Sequence, residues 1–262
     1  ITFGGYKYDR TIKMIVEESP KFGVDEVLVY DDLWLSKQDF YKQNQWLWEH
    51  PFKRGFGWYC WKPYVIWDAL QQVDDGDIVL FIDADTYPIH DLSVLYDQCD
   101  KDGGIMLFAA QPYNNKNWCK RDCFIVMGQD EQKYIDAQAG VARFMLFQKG
   151  KWMATQFLME WLTYAINRSA QTFDSSTILP EYPDLKQHRN EQAIFTNLGH
   201  KYGLKFYREA CQNGDGSNQD KDLYPRLFIQ DNEMDRSPDK NISTNKNILF
   251  ELKGSQYAKT TL

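Results

Sequence analysis

The stretch that decides the fold is Asp77-Ile-Val-Leu-Phe-Ile-Asp-Ala-Asp-Thr-Tyr-Pro88. Within it, Ile78–Ile82 is a short continuous apolar run, which is typical of a buried strand in a parallel sheet. Asp83 and Asp85 follow at once, at the carboxyl end of that strand, where open α/β sheets bind their ligands. Two carboxylates this close repel each other, and a hard divalent cation shared with a substrate phosphate relieves the repulsion. The stretch therefore predicts a metal–diphosphate site. The plainer alternative is a strand that ends in a polar turn, with an Asp capping the next helix.

Length and composition narrow the class of protein. The chain has 262 residues and a net charge of −7, which fits one large α/β domain or one domain with a C-terminal extension. The acidic balance and the lack of a basic run argue against nucleic-acid binding. Aromatic residues make up 16%, with nine Trp, and the surplus over a core suggests stacking surfaces for sugars or bases.

Two further features bear on location. No apolar stretch approaches the roughly 20 residues that span a bilayer, so we expect no transmembrane segment. The five cysteines are an odd number, and the one close pair, Cys119 and Cys123, lacks a second pair that would complete a zinc site. Reduced thiols in a cytoplasmic protein are the expected account.

Strand and helix patterns alternate, which predicts a doubly wound α/β sheet. The polar, turn-rich segments 209–222 and 230–247 are expected to be exposed loop. We therefore divide the chain into a domain at 1–208 and a C-terminal polar loop and extension of the same domain at 209–262. Strands are predicted at 1–3, 26–30, 78–82, 105–109, 124–127, 140–147 and 205–207, and helices at 10–18, 35–49, 63–73, 92–99, 153–166 and 191–202.

Several motifs occur in a fixed order between residues 1 and 203. They are Thr2-Phe-Gly-Gly5, Arg54-Gly-Phe-Gly-Trp-Tyr-Cys-Trp-Lys-Pro63, Asp83-Ala-Asp85, Gln138-Ala-Gly-Val141 and His188-Arg-Asn-Glu-Gln192. As a set they resemble nucleotide-sugar glycosyltransferases of the GT-A fold, and most of all the compact bacterial and viral enzymes. The resemblance implies a Rossmann-like mixed, mostly parallel sheet flanked by helices. It also implies metal-dependent transfer of a sugar from a nucleoside diphosphate, UDP- or GDP-linked, to a glycan hydroxyl, as in polysaccharide biosynthesis.

The resemblance also assigns the metal site. It implies Mn²⁺ or Mg²⁺ bound directly by Asp85, with Asp83 contacting the ribose or a metal-bound water. Enzymes of this fold commonly add a late Asp or His to the metal. Asp231, His188 and His200 are candidates here, and the sequence does not choose among them.

The nucleoside is expected, from the same resemblance, near Thr2, Phe3, Gly4 and Tyr6. Gly4 would let the backbone approach the ligand, although a plain strand-to-helix turn explains it equally well. Cations for the diphosphate would be Arg54 and Lys62, the latter at a helix N-terminus. The alternative for Lys62 is a solvated side chain.

Three more residues are expected around the transferred sugar. Gly140 interrupts an apolar strand, which suggests close approach of the donor sugar. Glu191 and Gln192 head a helix, where Glu191 would bind hydroxyls or, in an inverting enzyme, deprotonate the acceptor. Many relatives carry Asp at that place, and an acidic residue also simply favours a helix N-terminus.

Two other functions compete with this prediction. Haloacid-dehalogenase-type phosphatases also place an Asp pair after an apolar strand, but their Thr comes two residues later, whereas Thr86 follows Asp85 at once. Their downstream acidic loop resembles Gly214-Asp-Gly-Ser-Asn-Gln219, with Gln219 in place of the final Asp. The second competitor is a non-catalytic sugar-binding module on a transferase scaffold.

Overall fold

The computed structural model describes residues 1–49 and 55–231. Its strands are β1 (Thr2–Phe3), β2 (Val29–Tyr30), β3 (Ile78–Ile82), β4 (Thr86–Pro88), β5 (Ile105–Asn114), β6 (Gln138–Gln148), β7 (Phe206–Tyr207) and β8 (Phe228–Gln230). Its α-helices are α1 (Asp9–Glu18), α2 (Asp32–Ser36), α3 (Asp39–Gln43), α4 (Trp61–Gln71), α5 (Ser93–Lys101), α6 (Arg121–Val126), α7 (Gln132–Ile135), α8 (Trp152–Ala165), α9 (Arg168–Gln171) and α10 (Glu191–Lys201).

The main sheet has four strands in the order β3-β6-β5-β7, and the two-stranded sheet β1-β2 extends it beside β3. β1 pairs with β2 and β5 pairs with β7, both in parallel. β1 meets β3 through Ile1, whose amino group donates to Leu80 O at 2.6 Å and whose carbonyl accepts from Ile82 N at 3.0 Å, the pattern of a parallel pair. β6 is antiparallel to both of its neighbours. The expected mixed sheet is therefore confirmed, with β6 running against the other strands.

Helices cover both faces of this sheet. Alternate residues of one strand enter different cores: Phe81 packs with α4, α8 and α10, whereas Ile82 packs with α1 and α5. Leu107 and Phe108 divide in the same way. Burial on both faces explains why β3 is a continuous apolar run.

Several predicted elements are corrected by the structure. Residues 124–127 are not a strand, because Phe124 lies in α6, where Cys123 and Phe124 are both buried. The expected long helix at 35–49 is broken into α2, α3 and a 3-10 turn at Gln45–Leu47. Asp31 caps α2, accepting from Trp34 N at 2.7 Å.

The segment after residue 208 is less exposed than its composition suggests. Ala210, Cys211 and Phe228 are fully buried in the core that α5 covers. β8, which was not predicted, pairs antiparallel with β4 immediately after the acidic motif. All five cysteines are buried free thiols. Across the part of the chain that the structure describes, we find no helix with the length and apolarity needed to cross a bilayer.

Candidate active site

A cleft of about 840 Å³ opens at the carboxyl ends of β1 and β3. Phe3 and Gly4 line it at the end of β1, and Asp83 and Asp85 at the end of β3. Twenty further residues line the cleft: Gly5, Lys7, Tyr8, Asp32, Gly55, Phe56, Tyr59, Trp61, Lys62, Ala84, Arg143, Phe173, Gln187, His188, Arg189, Asn190, Glu191, Gln192, Gln230 and Asp231. Residues from four of the five predicted motifs, those at 2–5, 54–63, 83–85 and 188–192, therefore meet in one cavity.

The acidic turn is held from both sides by neighbouring strands. Asp83 N donates to Arg143 O of β6 at 2.7 Å. On the other side, Asp85 O accepts from Asp231 N at 2.7 Å, and Asp85 Oδ2 accepts from Gln230 Nε2 at 3.1 Å. The second carboxylate oxygen, Oδ1, accepts from Thr86 Oγ1 at 2.9 Å. The β4–β8 pair thus fixes the direction of Asp85.

Gly4 has a packing role at the acidic turn. A Cβ on Gly4 would lie 2.8 Å from Ala84 Cβ and 3.1 Å from Ile12 Cδ1. The absence of a side chain lets the end of β1 press against the turn between Asp83 and Asp85. Phe3 stacks on Trp61 with ring centroids 3.9 Å apart, which closes the apolar floor beside it.

Lys62 is buried at the base of the cleft, with 4% of its surface exposed. Its Nζ donates to Ala142 O at 2.7 Å and lies 2.9 Å from Asp83 Oδ1 and 3.4 Å from Glu191 Oε1. An ammonium group has three donors, so these three partners occupy it fully. Burial acts to lower the pKa of Lys62, but Asp83 and Glu191 raise it above its ordinary value. Lys62 is therefore the shared counter-ion of two carboxylates, and its contact with a diphosphate stays a prediction.

Glu191 is the first residue of α10 and is 4% exposed. Burial raises its pKa to about 7, with Lys62 acting in the opposite direction. Asp83, whose side chain is 33% exposed, also has its pKa raised by burial and lowered by Lys62. A carboxyl group that titrates near neutrality in a cleft can accept a proton at physiological pH.

The other predicted donor-binding residues divide into three groups. Gln192 lines the cleft beside Glu191. Thr2 is fully buried and does not line it, and Tyr6 begins the 3-10 turn that follows β1. Arg54 lies outside the described residues.

Gly140 is placed away from the cleft, and its role as a donor-sugar contact is corrected. A Cβ there would lie 2.5 Å from Phe206 Cε1 and 3.1 Å from Phe195 Cε1. Its backbone N donates to Thr196 Oγ1 at 3.0 Å. Close packing of α10 and β7 on β6, rather than approach of a ligand, requires glycine at this position.

Three residues were candidates for an additional metal ligand late in the chain. Of these, Asp231 places a carboxylate in the cleft. It pairs with Arg10 at 2.7 Å. His188 lines the cleft, but its Nδ1 accepts from Lys120 N at 3.2 Å and its Nε2 donates to Ala170 O at 2.7 Å. Burial lowers the pKa of His188 to about 3, in keeping with this neutral, backbone-bound ring. His200 does not line the cleft, and its Nε2 bonds Gln138 O at 2.7 Å.

The donor set suits a hard divalent cation that keeps part of its shell for other ligands. Within residues 1–49 and 55–231, no three His, Cys, Asp or Glu side chains converge as a closed metal cage. Mg²⁺ and Mn²⁺ need no such cage, because one or two carboxylates with water and substrate phosphate suffice. Asp83 and Asp85 are oxygen donors of this kind, so these two residues fit such an ion.

Arg143 and Phe173 line the cleft without having been predicted. The guanidinium of Arg143 donates a hydrogen bond to the carboxylate of Glu209. Burial acts to lower the pKa of Arg143, but the negative charges of Glu209, Asp83 and Asp85 raise it above its ordinary value. Its signal in the sequence was a charged residue inside the apolar run of β6. Tyr59 and Phe173 add aromatic surface to the wall, and no spacing in the sequence singles out Phe173.

No protein-family model matches the chain, and no curated protein matches it. Among solved structures, the apo form of the bifunctional glycosyltransferase WbbM is similar at 11% identity and a TM-score of 0.47, over 87% of this chain and 44% of that one. Apo mouse xyloside xylosyltransferase 1 is similar at 11% identity and a TM-score of 0.44, over 83% of this chain and 80% of that one. The chain thus spans less than half the length of WbbM. At such low identity and TM-score, neither likeness assigns a residue or a reaction to this chain.

Proposed function

We propose that the protein is a metal-dependent glycosyltransferase that moves a sugar from a nucleoside diphosphate, UDP- or GDP-linked, to a hydroxyl of a glycan. One observation carries the proposal. A single cleft brings the paired acids Asp83 and Asp85 together with the buried Glu191, and one ammonium group, Lys62, contacts both ends of this acidic set. The cleft therefore offers oxygen ligands for a cation and a proton acceptor within reach of the same substrate.

The donor end is formed by the acidic turn. Asp85 and Asp83 would hold Mn²⁺ or Mg²⁺, which when bound supplies a positive charge to the leaving diphosphate. Arg143 lies beside the same turn and adds a fixed positive charge there. The aromatic rings of Phe56, Tyr59 and Phe173 provide the surface on which a base or sugar ring can stack.

The acceptor end is Glu191. In an inverting reaction its carboxylate accepts the proton of the attacking hydroxyl, a role for which a pKa of about 7 is well matched. Lys62 favours the ionised form that can accept this proton. In a retaining reaction the same carboxylate would instead accept hydrogen bonds from sugar hydroxyls.

The phosphatase alternative is disfavoured by the position of its second motif. None of residues 214–219 lines the cleft. Gly214 packs against the backbone at Glu209, where a Cβ would lie 1.9 Å from the carbonyl oxygen. Gln219 donates from its amide to Phe206 O, so this loop is held away from the acidic pair.

Calorimetric titration of UDP and GDP tests the proposal, with Mn²⁺ and with EDTA. We expect one nucleotide to bind only when Mn²⁺ is present, and Asp85→Asn to abolish this binding without changing the thermal midpoint. Asp97→Asn is the matched control, because Asp97 is an exposed carboxylate on α5 outside the cleft. Binding that persists in EDTA or in Asp85→Asn contradicts the metal assignment. Hydrolysis or transfer of the matching nucleotide sugar then separates an enzyme from a sugar-binding module.

A further inference from the structure

Two segments of the cleft wall contain non-glycine residues in the left-handed region of backbone space. Trp58 and Tyr59, just before α4, have φ of 48° and 61°. Asn190, just before α10, has φ of 50°. Such conformations are disfavoured for residues with a side chain and persist only where the surroundings impose them. Asn190 immediately precedes Glu191, and Tyr59 lines the cleft.

Gln171 joins these two segments. It is the last residue of α9 and has no exposed surface. Its side-chain Nε2 donates to Trp58 O at 2.7 Å, and its backbone oxygen accepts from Asn190 Nδ2 at 2.7 Å. A single buried residue thus contacts both left-handed segments.

The end of α9 supports the loop before Glu191 more widely. The last carbonyl groups of a helix have no partner within it and need one from outside. Ala170 O accepts from His188 Nε2, and Gln171 O accepts from Asn190, so α9 fastens two residues of the loop. From α8, Trp161 Nε1 donates to Glu191 O at 3.1 Å. The backbone of Glu191 is therefore held by α8, and the two residues His188 and Asn190 before it by α9.

We propose that Gln171 and Asn190 are positioning residues whose side-chain amides hold the carboxylate of Glu191 against Lys62 and open to the cleft. This inference rests on the proposed function of Glu191. Gln171 does not line the cleft, so it acts on the reaction only through the segments that it holds. The amide of Asn190 is engaged with Gln171 O.

Double-mutant cycles test this inference. Gln171→Met keeps the length of the side chain and removes the bond to Trp58 O. Asn190→Gly suits the left-handed backbone and removes the bond to Gln171 O. We expect each to lower kcat roughly 10²-fold in the wild-type background, the loss typical of a reacting group displaced by about 1 Å. In a Glu191→Gln background, the same two changes should leave the residual kcat unaltered, because the group they position is gone.

Gln129→Met is the matched control. Gln129 is 1% exposed and its Nε2 donates to a backbone oxygen, Asn197 O, at 2.8 Å. In both Gln129 and Gln171 the Oε1 atom is buried without a hydrogen-bond partner. Gln129 does not line the cleft, so its variant should lower the thermal midpoint like Gln171→Met while keeping kcat.

The results of these experiments distinguish a failure of the positioning role from a failure of the proposed function. If Gln171→Met does not fold, Asn190→Gly carries the test alone. Equal fold-losses in the wild-type and Glu191→Gln backgrounds, or an equal fall of kcat in Gln129→Met, overturn the positioning role and leave the proposed function standing. A wild-type protein that turns over no nucleoside-diphosphate sugar overturns the proposed function, and this inference with it.

Discussion

Replacing Lys62 by Met removes the charge that two buried carboxylates share. Met matches the length of the lysine stem but carries no proton for Ala142 O, Asp83 or Glu191. Breaking a buried ion pair by removing one partner costs about 3–5 kcal/mol. Since Asp83 is one-third open to water, at 33% exposure, we take the lower value of about 3 kcal/mol. For a chain of this size that corresponds to a fall in Tm of about 6–12 °C.

The loss should depend on pH, and its sign follows from the carboxyl groups. Burial already raises the pKa of Glu191 to about 7 while Lys62 lowers it. Without Lys62 the folded-state pKa rises further above the unfolded value, as does that of Asp83. A carboxyl group with a raised folded-state pKa stabilises the fold at low pH and loses that contribution as pH rises through the folded-state pKa. The Tm of Lys62→Met should therefore approach that of the wild type near pH 5 and fall furthest below it near pH 8.

Thermal unfolding by circular dichroism in EDTA, at a series of pH values, measures this gap. Lys149→Met is the control, since Lys149 Nζ donates to Leu70 O at 2.6 Å and removing it strands no carboxylate. Its cost should be about 1 kcal/mol at every pH. A Lys62→Met deficit that is independent of pH, or no larger than that of Lys149→Met, refutes the shared counter-ion.

Three further outcomes are expected. The kcat of the wild type should fall as pH drops below about 7, where Glu191 becomes protonated. Glu191→Gln should lose most transfer activity and this fall of kcat at low pH, while still binding the donor. A variant whose kcat still falls at low pH would indicate that another residue is the base. Gly140→Ala should lower stability by about 1–3 kcal/mol through its clash with Phe206, with donor KM unchanged in steady-state assays. Gly4→Ala should weaken nucleotide binding in calorimetry, because its Cβ pushes on Ala84; undiminished affinity would show that the acidic turn tolerates the shift.

The sequence predicted those parts of the fold that local pattern determines. Ile78–Ile82 forms β3 at the predicted boundaries, because an apolar run closed by Asp83 admits few other structures. Pro63 lies in the first turn of α4, and Glu191 begins α10, both as the helix-start signals indicated. The meeting of Asp83, Asp85 and Glu191 in one cleft follows from their places at the ends of elements.

Other features depend on contacts that no local pattern records. From the sequence, Lys62 is predicted only to be a cation at the start of a helix. The structure shows in addition that the carboxylates of Asp83 and Glu191 both contact its ammonium group. The sequence predicts that Gly140 leaves room for a ligand, whereas in the structure the ring of Phe206 fills the space beside it. β8 escaped prediction because three residues in a polar region become a strand only when β4 is there to pair with them.

The burial of every cysteine makes the thiols natural probes of local unfolding. All five are buried. Cys60 immediately precedes α4, Cys99 lies in α5, Cys119 lies just before α6, Cys123 lies in α6, and Cys211 follows β7. A thiol reagent can reach each of them only when the surrounding structure opens, so the rate of modification at each site reports a local opening free energy. Mass spectrometry of partly modified protein would rank these regions by how readily they open, without any introduced probe.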